Sequence, residues 1–580
     1  MKLRNLANKL LLFVMLMVFA VGNFTVYTAP AIAQLAPTDT EITPLTKTYA
    51  FDKYNQNKPT GESLYEALGI KTYNNYLMAL SATQKLKDVV IAVVDTGLDY
   101  GHNEGQGVKS NPVFNDRVLT EYAMDFSSGL PTELNNNWNI DQNGHGTHVA
   151  GIIADATLSN VKILPLKIFH GVGNDSGSYS FLNAIRYLCA LKSGEQVSLL
   201  DEFGNESADK LPAVYYNTDK VKIDNIVAVN LSIGSEGYAV TDSDAMEEFN
   251  QKKEGYTDPA TGIYYTGCQH IVNNLLKNGI LPIAAAGNMG TNDIRYYWNN
   301  GRREVLPYYS WPGACDGVLE VSAYDNTASV YSLASYSYCN DCVSVAAPGT
   351  EIWSACSSSI LNDYYHKLSA RDVELGIDYY TYYVGLSMRP SVTWYVMKDG
   401  DNQDGSDYCY RSSGTSMATP FVTACYAMLM SDPTKNNASD LGLTSWDANN
   451  EEDRKFLNVV HKALLAAAAT DGIHAETYEE KFGYGTVSVV GFVPDSETGA
   501  IRALKDINYE PQASATPEDY SNANWNGTGA NRANGEIDWF IVCLILTVGV
   551  LLIWMLNAFK TYVLARNKGG DTEDDGEQQQ

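Results

Sequence analysis

Positive charge is what this 580-residue chain lacks most: 40 Lys and Arg stand against 68 Asp and Glu, a net charge of -28. A surface that binds phosphate needs a basic face, so nucleic acid is excluded as a partner. Charge of both signs is sparse, at 19% against 45% hydrophobic residues, which excludes a disordered polyelectrolyte and leaves a globular body with a large core. Histidine is scarce as well, at eight. Two of them, His145 and His148, stand three apart, but no Glu accompanies them as a zinc-binding H-E-x-x-H helix would require. Carboxylates are abundant, yet none is grouped as in an EF-hand loop. Asp95-Thr96-Gly97 has no second copy on a suitable strand, since Asp175-Ser176-Gly177 lies in a Gly-rich loop, so paired-carboxylate chemistry lacks its other half. Cys339 and Cys342 form a C-x-x-C without a counterpart, which is too little for a metal site.

The two long apolar runs lie at the ends. Lys2, Arg4 and Lys9 precede an apolar stretch over 10–21, and Ala31-Ile32-Ala33 supplies a small-x-small cleavage pattern, so 1–33 reads as a secretory signal peptide. Residues 539–559 carry no charge over a length that spans a bilayer, with Trp539 and Trp554 as interface anchors. Lys560, Arg566 and Lys568 follow, which places the tail 560–580 in the cytoplasm. The body is therefore expected outside the cell, tethered to the membrane through one C-terminal helix. Export permits disulfides, and Cys356 and Cys409 bracket a segment that a bond could close. Tyr, at 39 against 16 Phe, suits exposed sheet and loop surfaces.

Between the ends, residues 34–60 are polar with Pro and Thr and read as a linker, and 62–84 reads as a helix. β-branched runs over 88–94, 161–169, 226–234 and 281–288 have the pattern of strands buried on both faces of a parallel sheet. Helical segments at 178–191, 246–251 and 268–277 alternate with them. The expected fold is α/β, a doubly wound parallel sheet. Asp95 closes the first strand, and open α/β sheets carry their chemistry at such strand ends. His145-Gly146-Thr147-His148 opens a helix of small residues. Asn288 ends the strand over 281–288. Ser413-Gly414-Thr415-Ser416-Met417-Ala418-Thr419-Pro420 opens an apolar helix, with Pro420 expected in its first turn. Ser416 then stands where helix N–H groups are unpaired and negative charge is favoured.

Asp95-Thr96-Gly97, His145-Gly146-Thr147-His148, Ala286-Gly287-Asn288 and Gly414-Thr415-Ser416-Met417-Ala418, in that order, resemble the subtilisin-like serine proteases, or subtilases. The likeness covers roughly residues 65 to 495 and ends just after Gly483-Tyr484-Gly485. It implies a serine endopeptidase acting on protein or peptide substrates. Ser416 would be the nucleophile, His145 the base, Asp95 its orienting carboxylate and Asn288 an oxyanion donor. Leu231-Ser232-Ile233-Gly234 and Ala284–Gly287 would form the two walls of the pocket for the residue before the scissile bond, with Ser232, Gly234, Ala286 and Gly287 in contact with substrate. Small wall residues would leave that pocket open to apolar side chains. No cofactor is required for this chemistry. Relatives often hold structural calcium, for which Glu104 and Asp141 are nearby carboxylates without an assigned ligand set.

The chain also departs from the family. Extra sequence occurs at 193–220, around 252–266 and at 357–410, the last with Tyr-rich runs at 379–384 and 392–397 that suggest a β subdomain or flap near the cleft. Residues 34–64 are short for a foldase propeptide, and with the C-terminal anchor this is similar to mycosin-type subtilases. The expected organisation is a signal peptide (1–33), an extension (34–64), a peptidase domain (65–505), a linker (506–537), a span (539–559) and a tail. A catalytically inactive surface binding protein on the same scaffold is the alternative.

Overall fold

The computed structural model describes residues 45–99, 112–127, 137–169, 178–198, 215–240, 242–257, 264–289, 296–299, 302–357, 378–383, 390–398, 408–443, 455–470, 482–502 and 504–505. The expected signal peptide, linker, membrane span and tail lie outside them, as do Glu104 and the Asp175-Ser176-Gly177 turn. Among the described residues no helix is long and apolar enough to cross a membrane.

Val89–Asp95 (β1) is buried at every position, as its unbroken apolar run requires of a strand covered on both faces. Six described strands join it in one parallel sheet: Met124–Asp125 (β2), Val161–Lys167 (β3), Ile226–Leu231 (β4), Leu281–Ala285 (β5), Leu319–Tyr324 (β6) and Val343–Pro348 (β7), in the spatial order β7-β6-β5-β4-β1-β3-β2. The order reverses direction at β1, the switch point where open sheets form a crevice. Helices fill the connections. Ile70–Ser81 (α1), His145–Ala156 (α2), Ser178–Ser193 (α3), Ser243–Glu254 (α4), Cys268–Lys277 (α5), Thr415–Ser431 (α6) and Phe456–Ala467 (α7) surround the sheet. In α6 every residue but Met430 is buried, which its small and apolar composition allows.

Three expectations change. The helix expected over 62–84 is interrupted at Gly69, which takes φ of 75° and whose missing side chain leaves room for Val490, since a Cβ there would stand 2.6 Å from the Val490 N. Pro420 is the sixth residue of α6 and not part of its first turn. Residues 45–60 do not behave as a linker. Asp155, near the end of α2 and wholly buried, accepts the N–H groups of Ala50 (2.7 Å) and Phe51 (3.0 Å) and the Tyr65 hydroxyl (2.8 Å). Asn55 exchanges two hydrogen bonds with the backbone of Trp353. The local composition of 45–60 carries no sign of acceptors that lie a hundred residues or more further along.

Among the described residues, the stretches expected as additions carry β-strands. Val197–Ser198 pairs with Tyr215–Tyr216, and Gly255–Thr257 with Tyr264–Thr266. The large insertion builds a four-stranded antiparallel sheet with the strand before it: Ile352–Ala355 (β8), Asp378–Tyr383 (β9), Pro390–Lys398 (β10) and Tyr408–Ser412 (β11), in the order β8-β11-β10-β9. Cys356 and Cys409 both lie buried there, with no disulfide between them.

Replacing Asp155 with Ala should leave three donors without their acceptor, those of Phe51 and Tyr65 buried and that of Ala50 half-buried, at a cost of about 1–3 kcal/mol for each buried one. The expected outcome is a loss of at least about 3 kcal/mol in denaturant unfolding, with early proteolysis near residue 50. A loss below about 1 kcal/mol would show that the segment is not held this way.

Candidate active site

The site gathers at the C-terminal edge of the sheet, where β1 and β4 lie side by side. Val93 of β1 pairs with Asn230 of β4, so two residues further on Asp95 and Ser232 stand at the same level on adjacent strands. Each holds a partner. The His145 Nδ1 lies 2.8 Å from Asp95 Oδ1, and Ser416 Oγ donates to the Ser232 carbonyl at 3.1 Å. Neighbouring strands run about 4.8 Å apart. The carboxylate–imidazole pair and the serine hydroxyl are thereby brought to one place from residues 95, 145 and 416.

His145 owes its position to the first turn of α2. Gly146 follows it, and a Cβ there would stand 2.1 Å from the Gly97 carbonyl oxygen and 3.1 Å from the Asp95 Cβ, so glycine alone permits this approach. Asp141 fixes the same turn from beneath. One of its oxygens accepts Thr96 Oγ1 and the Gly144 N–H, both at 2.8 Å; the other accepts the Thr147 N–H at 2.9 Å and the Thr147 hydroxyl at 2.6 Å. Burial raises its carboxyl above the usual range against the pull of those bonds. With both oxygens so engaged, Asp141 acts as a brace for the helix start, a role that the sequence pattern did not reveal. His145 feels two opposed effects. Burial disfavours its cation, and the Asp95 carboxylate favours it; the carboxylate prevails and the ring holds its proton above its ordinary value of 6.5.

His148 plays a different part. Its Nε2 lies 3.0 Å from the Ile352 carbonyl oxygen, its ring packs on Tyr410, and burial lowers its pKa to about 3. It is a neutral core residue. Among the described residues no group of three or more metal-ligating side chains occurs.

Ser416 is the second residue of α6. Pro420 lies four residues on and has no N–H for the Ser416 carbonyl. The Ser232 hydroxyl donates there instead, at 2.8 Å. Ser232 and Ser416 are thus doubly linked, and the Ser232 side chain is turned to the Ser416 backbone. Asn288 is exposed at the end of the segment after β5. Its Oδ1 accepts the Thr415 N–H at 2.9 Å, which fixes the amide next to Ser416.

Of the expected wall residues, Gly234 is exposed. Gly287 is held by its N–H to Thr415 Oγ1 at 3.2 Å and by its carbonyl, which accepts the Tyr338 N–H at 3.0 Å. The Ala286 side chain is wholly buried in a cluster with Leu306, Tyr308, Tyr338 and Val343, so its methyl faces the interior. Two residues that motif reasoning did not single out, Ser310 and Tyr338, stand against the walls. A Cβ on Gly234 would lie 3.0 Å from Ser310 Oγ, and one on Gly287 would lie 2.4 Å from the Tyr338 ring.

Residues 86–485 match the Peptidase_S8 or "Subtilase family". Fervidolysin of Fervidobacterium pennivorans is 24% identical over 65% of this chain and 41% of its own length. The major intracellular serine protease of Bacillus subtilis is 27% identical over 49% of this chain and 64% of its own. The chain thus spans less than two thirds of the length of each. The crystal structure of a lanthipeptide protease aligns over 73% of this chain and 92% of its own at 17% identity, with a TM-score of 0.41, too low to bear on fold or function. The family match covers most of the polypeptide and contains all four motifs of the site, and this chain belongs to the subtilase family.

Proposed function

We propose that the protein is a serine endopeptidase that hydrolyses peptide bonds through Asp95, His145 and Ser416. The observation that carries this reading is the pairing level of β1 and β4, which sets the His145–Asp95 bond beside the Ser416–Ser232 bond. In the resting arrangement the Ser416 hydroxyl is turned to the Ser232 carbonyl. Rotation about χ1 would swing it toward the free edge of the imidazole, which would take its proton as Ser416 attacks the substrate carbonyl. Asp95 holds Nδ1 and so presents Nε2 as the acceptor. The tetrahedral oxyanion would be met by the Ser416 N–H at the α6 N-terminus and by the Asn288 amide, whose other end is fastened to Thr415. Collapse would expel the amine, protonated by His145, and leave an acyl-Ser416 for water to release. An inactive scaffold would be expected to lack one of these groups, and all four are present.

A protein or peptide substrate would lie extended along the edge at Gly234, held mainly through its backbone. The exported, membrane-tethered placement rests on the sequence of the two ends alone, as does the likeness to mycosin-type subtilases. A structural calcium likewise rests on the family resemblance.

Ser416→Ala should abolish hydrolysis of a casein or peptide substrate and labelling by a fluorophosphonate, and Asn288→Ala should lower kcat about 10²–10³-fold with the labelling site intact. Full-strength labelling of Ser416→Ala would sink the assignment. The base must be neutral to act, and the Asp95 carboxylate holds the proton on His145 beyond its ordinary range. The acid limb of kcat/KM should therefore have its midpoint above about 6.5. A midpoint at or below about 6 would contradict the geometry. Truncation after residue 538 should move the protein from the membrane fraction to the medium, and continued retention on membranes would refute the C-terminal anchor.

A further inference from the structure

The peptidase reading leaves open which side chain the enzyme accepts immediately before the scissile bond. Building on that reading, we infer that Ser310 and Tyr338 close the slot for that residue, so that the enzyme cleaves after glycine, alanine or serine and rejects large apolar side chains.

The two walls of the slot are the segments that follow β4 and β5, whose pairing ends at Leu231 and Ala284. A turn carrying Ser310 docks against the first wall, where the Ser235 N–H donates to the Trp311 carbonyl at 2.9 Å and the Trp311 N–H to Ser235 Oγ at 3.1 Å. That docking pushes Ser310 between the walls. Its Oγ lies 3.0 Å from the place a Cβ on Gly234 would take and 3.3 Å from that on Gly287. Tyr338 bridges the same gap one step away. Its ring comes within 2.3 Å of a Cβ position on Gly237 and within 2.4 Å of that on Gly287. The ring therefore lies flush against backbone on both sides, and glycine at 237 and 287 is what lets it in.

Water does not enter between them: Ser310 is 0% and Tyr338 4% exposed. Nor is the ring poised to move. It stacks on Tyr308, with centroids 5.1 Å apart and planes 10° from parallel, and the Tyr338 backbone N–H donates to the Gly287 carbonyl. The expected pocket open to apolar side chains is therefore filled by the protein itself. A hydrophobic slot discriminates by about 10–200-fold for each methylene that fits or fails to fit. A phenylalanine ring or a leucine branch would have to displace a packed aromatic.

Internally quenched peptides that differ only at this position, with Gly, Ala, Ser, Leu or Phe, would be offered to the full-length protein and its variants. Wild type should show kcat/KM for Ala and Ser at least about tenfold above Leu and Phe. Tyr338→Ala should raise Leu and Phe relative to Ala by at least about tenfold, and Tyr338→Phe, which keeps the ring, should preserve the wild-type order. Should Tyr338→Ala not fold, Ser310→Gly removes only a hydroxymethyl group and should raise Leu relative to Ala. Fluorophosphonate labelling together with a flat or inverted ratio in wild type, or an unchanged ratio in both enlarging variants, would overturn this proposal alone. Absence of labelling with no peptide cleaved would overturn the peptidase reading and this proposal with it.

Discussion

The first turn of α2 meets the end of β1 more closely than any side chain would permit. Gly146 presses on the Gly97 carbonyl, and Gly97 itself takes φ of 116°, a backbone conformation that favours glycine. This contact brings Asp95 and His145 to within 2.8 Å of one another. Asp141 then locks it, since one carboxylate gathers Thr96 from the strand end and Gly144 and Thr147 from the helix start. A buried carboxylate with four donors is rigid because displacing any donor would leave a polar group unmatched in a low-dielectric interior. The orientation of the imidazole is thereby a property of the packed backbone.

The opposite face of the same helix carries the added sheet. A Cβ on Gly151 would stand 2.4 Å from Ser354 Oγ and 2.8 Å from Ala355 Cβ, so β8 lies directly on α2. Ser354 Oγ donates to the His148 carbonyl at 2.7 Å, and Tyr410 of β11 reaches the Gly144 carbonyl at 2.7 Å, one residue before His145. The strands that flank the insertion, β8 and β11, are therefore built into the support of the active-site helix. Burial keeps His148 neutral there, which spares this interface a charge it could not solvate.

Much of this was legible in the polypeptide because the signals are local. The strands at 89–95, 226–231 and 281–285 announce themselves by runs buried on both faces, and α5 begins and ends where its pattern does. The four motifs mark strand ends and helix starts, so their convergence followed from a parallel sheet. What was not legible depends on distant partners. Residues 45–60 look like a linker until Asp155 supplies acceptors for them. Asp141 reads as a spare carboxylate until Thr96, 45 residues earlier, is placed beside it. Ser310 and Tyr338 carry no motif at all, and they matter only because Gly234, Gly237 and Gly287 leave space that they fill.

Pro420 shows how one local misreading contains a tertiary constraint. Placed in the first turn it would cost nothing, because N–H groups there are unpaired in any case. Placed sixth, it removes the donor that the Ser416 carbonyl should receive, and a buried carbonyl without a donor is unfavourable. The Ser232 hydroxyl makes good that loss, and in return the Ser232 carbonyl receives the Ser416 hydroxyl. The proline thus creates a vacancy at the residue that has to be positioned, and the end of the neighbouring strand fills it. Registry between α6 and β4 results from that exchange, because sliding the helix by one residue would break both bonds at once. The serine's place at the sheet edge is specified as much by the residue four positions after it as by the glycine and threonine before it.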